Sequence, residues 1–469
     1  MPNKLMWFRQ DLRVADNTAL SIAGEDPSAS LYGLFIATPA QWRIHDMAPV
    51  REDFTLRHVQ TLRESLAEFN IPLLYMEVKT FDDIPEVFNR LMEQHQFTHV
   101  YANHEYGWNE KKRDRAVIDT LEEYACDLHL FHDQTMLAPS LKTQTGKPYT
   151  VFTPFKKSWL SEWRSLRPNI GGKPIKQKPP DEVASMTLPI MSSTDHAARW
   201  PIGEQAATEF LQRFCLERIE DYKDYRDIPS VDGTSSLSPW LAAGVISARQ
   251  CLNAALEANN GRLTGGLPGI DTWISELIWR DFYIHILDSF PQVSRNQPFK
   301  EKTKAIVWRD NDADFNAWCE GKTGIPIVDA AMRQLNQTGW MHNRLRMIVA
   351  MFLSKQLLID WRRGEQYFMQ RLIDGNLASN NGGWQWAAST GTDAVPYFRI
   401  FNPVTQSQRF DPRGEFIKQY VPELTGITGK DIHLPSPVTR AAQAPDYPAP
   451  IVDLKYGRER ALSAFASIR

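Results

Sequence analysis

The stretch Leu31–Ala37 reads LYGLFIA and carries no charged residue. A short apolar run of this kind is typical of a strand that is buried on both faces of a parallel sheet. Comparable runs are LMWF, PLLYMEV and THVYAN, and helical patterns over Phe54–Phe69 and near Ile84–His95 lie between them. This alternation predicts an α/β domain with a doubly wound, Rossmann-like parallel sheet over residues 1–135.

The turn after the first of these runs is unusual for such a domain. A doubly wound sheet often binds a dinucleotide through G-x-G-x-x-G directly after its first strand. Here Arg9–Arg13 reads RQDLR and contains no glycine. A ligand of this domain is therefore expected to be held by a different arrangement.

The chain then changes character twice. Residues 136–200 are rich in proline, glycine and lysine, as in RPNIGGKPIKQKPP, and predict a long connector. In residues 201–469, segments of 3.6-residue period replace the strand patterns and predict an all-helical second domain. The predicted helices are Glu204–Cys215, Ser247–Glu257, Asp271–Phe290, Ile327–Thr338, Arg344–Lys355 and Gly364–Ile373.

Composition narrows the class of protein. The net charge of −3 over 469 residues argues against a uniformly basic nucleic-acid binder, although it would hide a local basic patch. The N-terminus carries charges where a signal peptide needs an apolar run, and no segment approaches a transmembrane helix. The four cysteines form no C-x-x-C pair. We therefore expect a cytoplasmic protein with no membrane association, disulfide framework or metal site.

One predicted helix, within DTWISELIWRDFYIHIL, combines aromatic side chains with a carboxylate on a single face. The residues are Trp273, Glu276, Trp279 and Tyr283. Such a stripe is either part of the core or a binding surface. A carboxylate among indoles is costly without a donor partner, which makes the second interpretation worth carrying forward.

Two further segments are candidates for binding anions. In WMHNRLRM, Arg344 and Arg346 start a helix, and Arg346 is the better candidate for a buried ion pair, with Asp374 as its partner. A solvated basic turn is the alternative. In GTSSLSPW, the hydroxyls of Thr234–Ser238 either cradle a pyrophosphate or cap a helix.

Four long segments, WFRQDLRVADN, SELIWRDFY, WMHNRLRM and DGNLASNNGGWQWAASTGTDA, resemble the photolyase and cryptochrome flavoproteins. The resemblance runs from end to end and is closest to bacterial class I cyclobutane pyrimidine dimer photolyases. It implies an α/β antenna domain, a connector and a helical domain that holds FAD and DNA. It also implies that reduced anionic FAD, excited by blue light directly or through an antenna pigment, passes an electron to a dimer flipped out of UV-damaged DNA.

The resemblance assigns roles residue by residue. FAD would be bound by Tyr222, Thr234, Ser235, Ser236, Leu237, Ser238, Trp273, Arg346, Asp374, Gly375, Asn376 and Asn380. Dimer and DNA would be contacted by Arg226, Glu276, Trp279, Arg280, Tyr283, Asn343, Arg344, Met347, Trp386 and Gln406. Catalysis would rest on Glu276, on Asn380 beside the flavin, and on the electron-transfer tryptophans Trp308, Trp361 and Trp384.

An antenna site is implied as well. His45, Asn109, Glu110 and Arg295 match positions that contact methenyltetrahydrofolate in the relatives, which carry lysine where Arg295 stands. A deazaflavin is the alternative pigment. Two other departures touch the flavin site: Ser236 replaces the usual arginine of TSRLS, and Asn376 replaces the second aspartate of DGD.

Two rival functions remain on the sequence. A cryptochrome photoreceptor shares the fold but usually lacks the dimer-pocket residues, which this chain keeps. A (6-4) photolyase requires two pocket histidines for proton transfer, and Asn343 and Met347 fill those places while His342 is expected on another helical face. The favoured prediction is a photolyase that repairs cyclobutane pyrimidine dimers and is itself a monomer.

Overall fold

A parallel sheet of five strands forms the centre of the N-terminal part of the chain, in the order β3-β2-β1-β4-β5. The strands are β1 (Asn3–Phe8), β2 (Ser30–Ala37), β3 (Leu73–Glu77), β4 (Phe97–Asn103) and β5 (Asp127–Phe131). Every residue of β2 is buried, as its uninterrupted apolar sequence predicted. The predicted fold class is confirmed: a doubly wound α/β domain is followed by a helical region.

The computed structural model describes residues 3–168, 170–180, 199–393 and 399–468. Its α-helices are α1 (Thr18–Ala23), α2 (Pro39–Ile44), α3 (Pro49–Ala67), α4 (Ile84–His95), α5 (Trp108–Glu122), α6 (Phe152–Leu166), α7 (Glu204–Glu217), α8 (Tyr222–Tyr225), α9 (Ser238–Ala243), α10 (Ala248–Ala258), α11 (Pro268–Ser289), α12 (Asp312–Glu320), α13 (Pro326–Thr338), α14 (Asn343–Met351), α15 (Trp361–Met369), α16 (Leu377–Ala388), α17 (Pro403–Phe410), α18 (Glu415–Tyr420), α19 (Pro437–Gln443) and α20 (Leu454–Ala466). Short 3₁₀ turns occupy Phe81–Asp83, Pro291–Arg295, Glu301–Ala305, Pro422–Leu424 and Gly429–His433. In this part of the chain no helix has the length and apolarity needed to cross a bilayer.

The chain forms two compact units. The first consists of Met1–Glu220 with Ser235–Pro291, and the second of Asp221–Thr234 with Gln292–Arg469. The sheet and its helices make the core of the first unit. The core of the second unit is built around large aromatic side chains, including Trp318, Phe352 and Trp361. The domain boundaries given above from the sequence remain predictions.

Three elements depart from the sequence expectations. Helix α6 lies inside the predicted connector and buries Phe152, Phe155 and Trp159, whose helical spacing was masked by the proline- and lysine-rich flanks. Much of that flank, 169 and 181–198, lies outside the described residues. Edge strand β5 was missed because its residues are polar or only half-buried. The predicted helix Arg344–Lys355 is α14 followed by a π-helical turn, Phe352–Gln356.

The turn RQDLR after β1 is the centre of a buried polar network within the first unit. Arg9 donates to Asp114 Oδ1 at 2.9 Å and to the Asn103 carbonyl, and its own backbone N–H donates to Asp11 Oδ1 at 2.7 Å. Asn103 Nδ2 in turn donates to Asp11 Oδ2 at 2.6 Å. Buried side-chain hydrogen bonds thus fix the conformation of this turn, whereas glycines in a dinucleotide-binding turn leave room for the backbone to approach the pyrophosphate.

The second half of this turn joins the sheet to α10. The carboxylate of Asp133 lies between two guanidinium groups, contacting Arg13 and accepting from Arg249 Nη2 at 2.7 Å. Arg249 also pairs with Asp16, its Nε lying 3.0 Å from Oδ2. All four side chains are buried, so their charges are neutralised inside the unit.

Candidate active site

A half-exposed stripe runs along α11 in the first unit. Its members follow the spacing i, i+3, i+4 and i+7 and therefore share one helical face. They are Glu276, Trp279, Arg280 and Tyr283. The indole of Trp279 lies flat on the ring of Phe152, with ring centroids 3.6 Å apart and planes 8° apart. The stripe thus presents the indole of Trp279, stacked on Phe152, beside the carboxylate of Glu276.

Two polar side chains of α11 hold the helix in position. Arg280, a member of the stripe, donates to the Gln134 carbonyl. Asp281 accepts from Trp159 Nε1 and from the Met136 backbone N–H, each at 3.0 Å, and burial raises its pKa to about 6. Sequence reasoning missed both Phe152 and Asp281, because their partners are about 120 to 145 residues away in the chain.

The Ser/Thr segment leads directly into α9. Leu237 is the N-cap residue of this helix and makes no side-chain capping bond. Ser236 has a left-handed backbone with φ of 52°, a conformation that serine rarely adopts. Trp273 is buried on α11, with its ring 5.0 Å from that of Phe214.

In the second unit, the predicted ion pair between Arg346 and Asp374 is present. Arg346 Nη2 lies 2.8 Å from Asp374 Oδ2, and Arg346 Nε donates to the Met341 carbonyl at 2.8 Å. Asp374 is 7% exposed, and within the described residues its other oxygen, Oδ1, is buried without a hydrogen-bond partner. A buried acceptor with no partner is costly, and a bound donor group would remove that cost.

Asn376 and Asn380 lie on either side of the first turn of α16. The Asn376 side chain caps the helix by accepting from Ser379 N–H at 3.2 Å, as the aspartate of the usual motif would. Asn380 Nδ2 donates to the Glu365 carbonyl at 3.0 Å. This bond occupies the donor end of the amide. Gly375 lies between the Asp374 carboxylate and the Asn376 cap.

The two tryptophans of NNGGWQW differ in burial because residues two apart in a helix point to nearly opposite sides. Trp384 is 2% exposed and packs in the core, whereas Trp386 is half-buried. The intervening Gln385 connects α16 to the segment 297–299. It accepts from Phe299 N–H at 2.8 Å and donates to the Gln297 carbonyl at 3.2 Å.

The three candidate electron-transfer tryptophans lie in the core of the second unit and at its margin. Trp361 is fully buried, and Trp308 is half-buried with its ring 6.2 Å from that of Phe465. The Trp384 ring meets Phe368 edge-on at 5.0 Å and Trp318 at 6.0 Å. Sequence reasoning did not single out Trp318, which has no motif around it.

The packing of Trp384 depends on a glycine in α15. A Cβ at Gly364 would overlap the Trp384 ring and lie 2.6 Å from Leu353 Cδ2. We expect Gly364→Ala to lower the free energy of unfolding by about 1–3 kcal/mol through overpacking, measured by urea denaturation. Gly383→Ala on α16 is the matched control, because a Cβ there meets nothing within 4 Å. Equal stability of the two variants would contradict the packing argument.

The predicted DNA-contacting arginines of the second unit meet at one carboxylate. Arg344 Nη2 lies 2.7 Å from Asp227 Oδ2, and Arg226 Nε lies 3.8 Å from Asp227 Oδ1. Asn343 and Met347 follow each other by one turn on α14. The sequence predicted His342 on another face of this helix. Instead it is the buried residue that caps α14, accepting from Arg344 N–H at 3.2 Å. Burial lowers the pKa of His342 to about 4.

Gln406 and Arg295 complete the candidates of the second unit. Gln406 lies in α17, which Asn402 caps by accepting from two backbone N–H groups. Its Oε1 is buried and has no partner within the described residues. Arg295 is exposed at the end of a 3₁₀ turn. Tyr222 is buried beneath Arg226, whose guanidinium carbon lies 5.3 Å from the ring centroid.

The structure brings together the antenna candidates of the first unit. His45 Nε2 lies 2.8 Å from Asn109 Nδ2 and 2.9 Å from Gln41 Nε2, so two amide donors make it the acceptor nitrogen. Its Nδ1 then carries the proton and faces Glu110 Oε1 at 3.6 Å. Burial raises the pKa of Glu110. The arrangement is a small polar cluster at the N-terminal end of α5.

The chain belongs to the DNA photolyase family: residues 4–180 match the DNA photolyase domain, and residues 273–467 match the FAD binding domain of DNA photolyase. It therefore contains an FAD-binding domain, and the resemblance inferred from the sequence is confirmed.

Individual photolyases and a cryptochrome are similar to this chain over its full length or nearly so. The deoxyribodipyrimidine photo-lyase of Salmonella typhimurium is 48% identical over 474 residues, which cover 100% of this chain and 99% of that protein. The crystal structure of a class III photolyase from Agrobacterium tumefaciens matches with a TM-score of 0.84 and 33% identity, covering 100% of this chain and 98% of the other. A Synechocystis cryptochrome matches with a TM-score of 0.88 and 29% identity, covering 99% of each chain. Because both classes share the fold, the activity depends on the site.

Proposed function

We propose that the chain is a deoxyribodipyrimidine photo-lyase that splits cyclobutane pyrimidine dimers in UV-damaged DNA under blue or near-UV light. The observation that carries this proposal is the half-exposed stripe on α11, where Trp279 is held flat by Phe152 beside the carboxylate of Glu276. A flat apolar plate suits stacking of a base, and a carboxylate can accept from the N–H groups of a pyrimidine edge. The full-length relative of Salmonella typhimurium carries the same activity in its name.

Other residues are proposed to act on the same substrate. Arg280 and Tyr283 continue the α11 stripe, and Asn343, Met347 and Trp386 are proposed as further contacts of the dimer. Arg226, Arg344 and Gln406 bind the DNA strand. Because Asp227 holds both guanidinium groups, the arginines are oriented before DNA arrives, and phosphate pairing then adds affinity without sequence preference.

The flavin-site residues fit FAD on the structural observations. Asp374 Oδ1, which has no partner within the described residues, can accept from an N–H of the ring, and Arg346 orients that carboxylate. Asn380 has its amide nitrogen bonded to Glu365, which leaves its oxygen to accept from the cofactor. As an uncharged group, Asn380 adds no second negative charge beside a reduced, anionic ring. Reduced FAD, when bound and excited, supplies the electron that splits the dimer.

The remaining flavin contacts are assigned to residues whose backbone or burial suits them. The uncapped start of α9 offers N–H groups and hydroxyls from Thr234, Ser235, Ser236 and Ser238, with Leu237 among them, to the phosphates. The other proposed contacts are Tyr222, Trp273, Gly375 and Asn376.

For the antenna we propose methenyltetrahydrofolate, bound by His45, Asn109, Glu110 and Arg295. The cluster at α5 offers one imidazole, one amide and one carboxyl group, a set that can exchange hydrogen bonds with a pterin ring. A deazaflavin is the alternative pigment, and the absorption spectrum of the purified protein would distinguish the two.

The dimer is preferred over the (6-4) photoproduct as substrate. The latter needs a pocket histidine that can donate a proton. His342 is buried as a helix cap, and its pKa of about 4 keeps it neutral at physiological pH. Asn343 and Met347, on the adjoining turn of α14, have side chains that do not transfer protons at physiological pH.

The decisive experiment compares repair of dimer-containing DNA by the FAD-loaded, reduced protein in light and in darkness. We expect repair in light only, without action on (6-4) photoproducts. Repair in both conditions, or in neither, would overturn the proposal. Light scattering of the same sample tests the proposed monomer, and cell fractionation tests the proposed cytoplasmic location.

Trp384→Phe separates photoactivation from repair. Trp384 Nε1 makes no hydrogen bond within the described residues. Phenylalanine therefore removes the redox-active indole without breaking a hydrogen bond. We expect photoreduction of oxidised FAD to slow at least tenfold, measured by transient absorption, while repair by chemically reduced protein stays largely intact. Trp318→Phe is the control, since Trp318 is another buried indole outside the proposed path. Loss of both reactions in Trp384→Phe would contradict the assigned role.

A further inference from the structure

The outer edge of the sheet carries two imidazoles and a carboxylate that the proposed function does not use. In the parallel pairing of β4 with β5, His99 is opposite Asp127 and Tyr101 is opposite His129. Side chains alternate along a strand, so the two histidines and the aspartate share one face of the sheet. Val100, Leu128 and Leu130 point to the other face, into the apolar core. The pleat itself therefore gathers the three polar groups.

These groups are already close enough to share one ion. His129 Nε2 lies 3.2 Å from His99 Nδ1, and one ligand atom from each of the three side chains lies within 4.8 Å of the others. Zinc–nitrogen bonds of about 2.1 Å at tetrahedral angles separate two ligand atoms by about 3.4 Å. The imidazole pair, at 3.2 Å, is close to that spacing, and the Asp127 carboxylate lies within 4.8 Å of it.

The surroundings suit a metal with an open coordination position. His99 and His129 are half-buried and Asp127 is exposed, so solvent reaches the cluster. The ring of Tyr101 lies 5.1 Å from that of His129 and 6.2 Å from that of His99, which restricts both imidazoles. Metal binding through Nδ1 of His99 and Nε2 of His129 would leave the ring protons on the two outer nitrogens.

We propose that His99, Asp127 and His129 bind a divalent transition-metal ion, with Zn²⁺ as the physiological candidate. Two imidazoles and one carboxylate form a borderline-soft set that favours zinc, nickel or copper over magnesium or calcium. Water completes the coordination. The ion would link edge strand β5 to β4, its one neighbour in the described sheet, and it would stabilise the folded state by an amount that grows with the logarithm of the free metal concentration above Kd. The proposal is independent of the proposed photochemistry.

The test is isothermal titration of the chelator-treated, FAD-loaded full chain with ZnCl₂. We expect about one ion per chain, and at least a tenfold loss of affinity in His99→Ala and in His129→Ala. His95→Ala is the matched control, because His95 is also a half-buried imidazole beside the same strands but is not part of the cluster. Asp127→Asn provides a second, conservative test at an exposed position.

Substitution with Co²⁺ gives a readout that does not depend on stability or repair. Coordination by nitrogen and oxygen ligands should produce visible d–d absorption in the wild-type difference spectrum, and this absorption should be absent from His129→Ala. Absence of Zn²⁺ binding by the wild type would overturn the proposal. Binding that survives both histidine substitutions, or that His95→Ala removes equally, would do the same.

Discussion

Replacing Asp133 by alanine is expected to lower the free energy of unfolding by about 3–5 kcal/mol. Its carboxylate is buried between Arg13 and Arg249 and also accepts from Thr18 N–H at 3.0 Å. Removal would leave two buried guanidinium groups short of a counter-charge. Urea denaturation of the FAD-loaded protein in darkness, followed by circular dichroism, measures the loss.

The same carboxylate predicts a dependence on pH. Burial alone would raise the pKa of Asp133, but Arg13 and Arg249 outweigh burial and hold the pKa well below its usual value. Its contribution to stability is therefore complete above the unfolded pKa of about 3.9 and is lost as the pH falls through the lower, folded value. The difference in stability between wild type and Asp133→Ala should shrink in acid.

Asp119→Ala serves as the control for both measurements. Asp119 pairs with Arg115 at 2.9 Å, but both side chains are more than half exposed. A surface pair of this kind contributes about 0–1 kcal/mol. A loss for Asp133→Ala no larger than for Asp119→Ala would show that the buried network does not stabilise the fold.

The second large effect is expected at the flavin site. Asp374→Asn keeps the size of the side chain but removes the charge that pairs with Arg346 and weakens the acceptor at Oδ1. A hydrogen bond to a charged group contributes about 1.5–3 kcal/mol, so FAD affinity should fall about 10- to 100-fold. Flavin retained after dialysis, read from the absorption spectrum, measures the change.

Asp360→Asn is the matched control for this experiment. Asp360 also pairs with an arginine of the second unit, at 3.1 Å to Arg362, and caps α15. It is not among the proposed flavin ligands, so FAD affinity should stay within about twofold. Equal loss of flavin in both variants would indicate general destabilisation, and unchanged binding in Asp374→Asn would remove Asp374 from the site.

Local patterns predicted most of the fold. The apolar runs of β1 to β4 and the spacing of α4, α7, α10 and α13 were recognisable because each element buries a regular set of its own residues. Helix α6 and strand β5 were missed for the opposite reason. In α6 the flanking composition hid three buried aromatics, and β5 is an edge strand with little to bury.

The candidate site divides in a similar way. The ion pair of Arg346 with Asp374 was predictable, since a charge next to an apolar helix needs a partner. The stacking of Phe152 on Trp279 was not, because it joins two helices through a contact that no local pattern encodes. The roles of the individual residues came from the family resemblance and remain to be tested.

The turn RQDLR makes the chain easy to recognise, yet its two arginines pair with carboxylates inside the fold, Arg9 with Asp114 and Arg13 with Asp133. A descendant that abandoned repair for signalling would still need them in order to fold. This motif therefore identifies proteins that share the fold. The α11 stripe is the feature that can distinguish their activities.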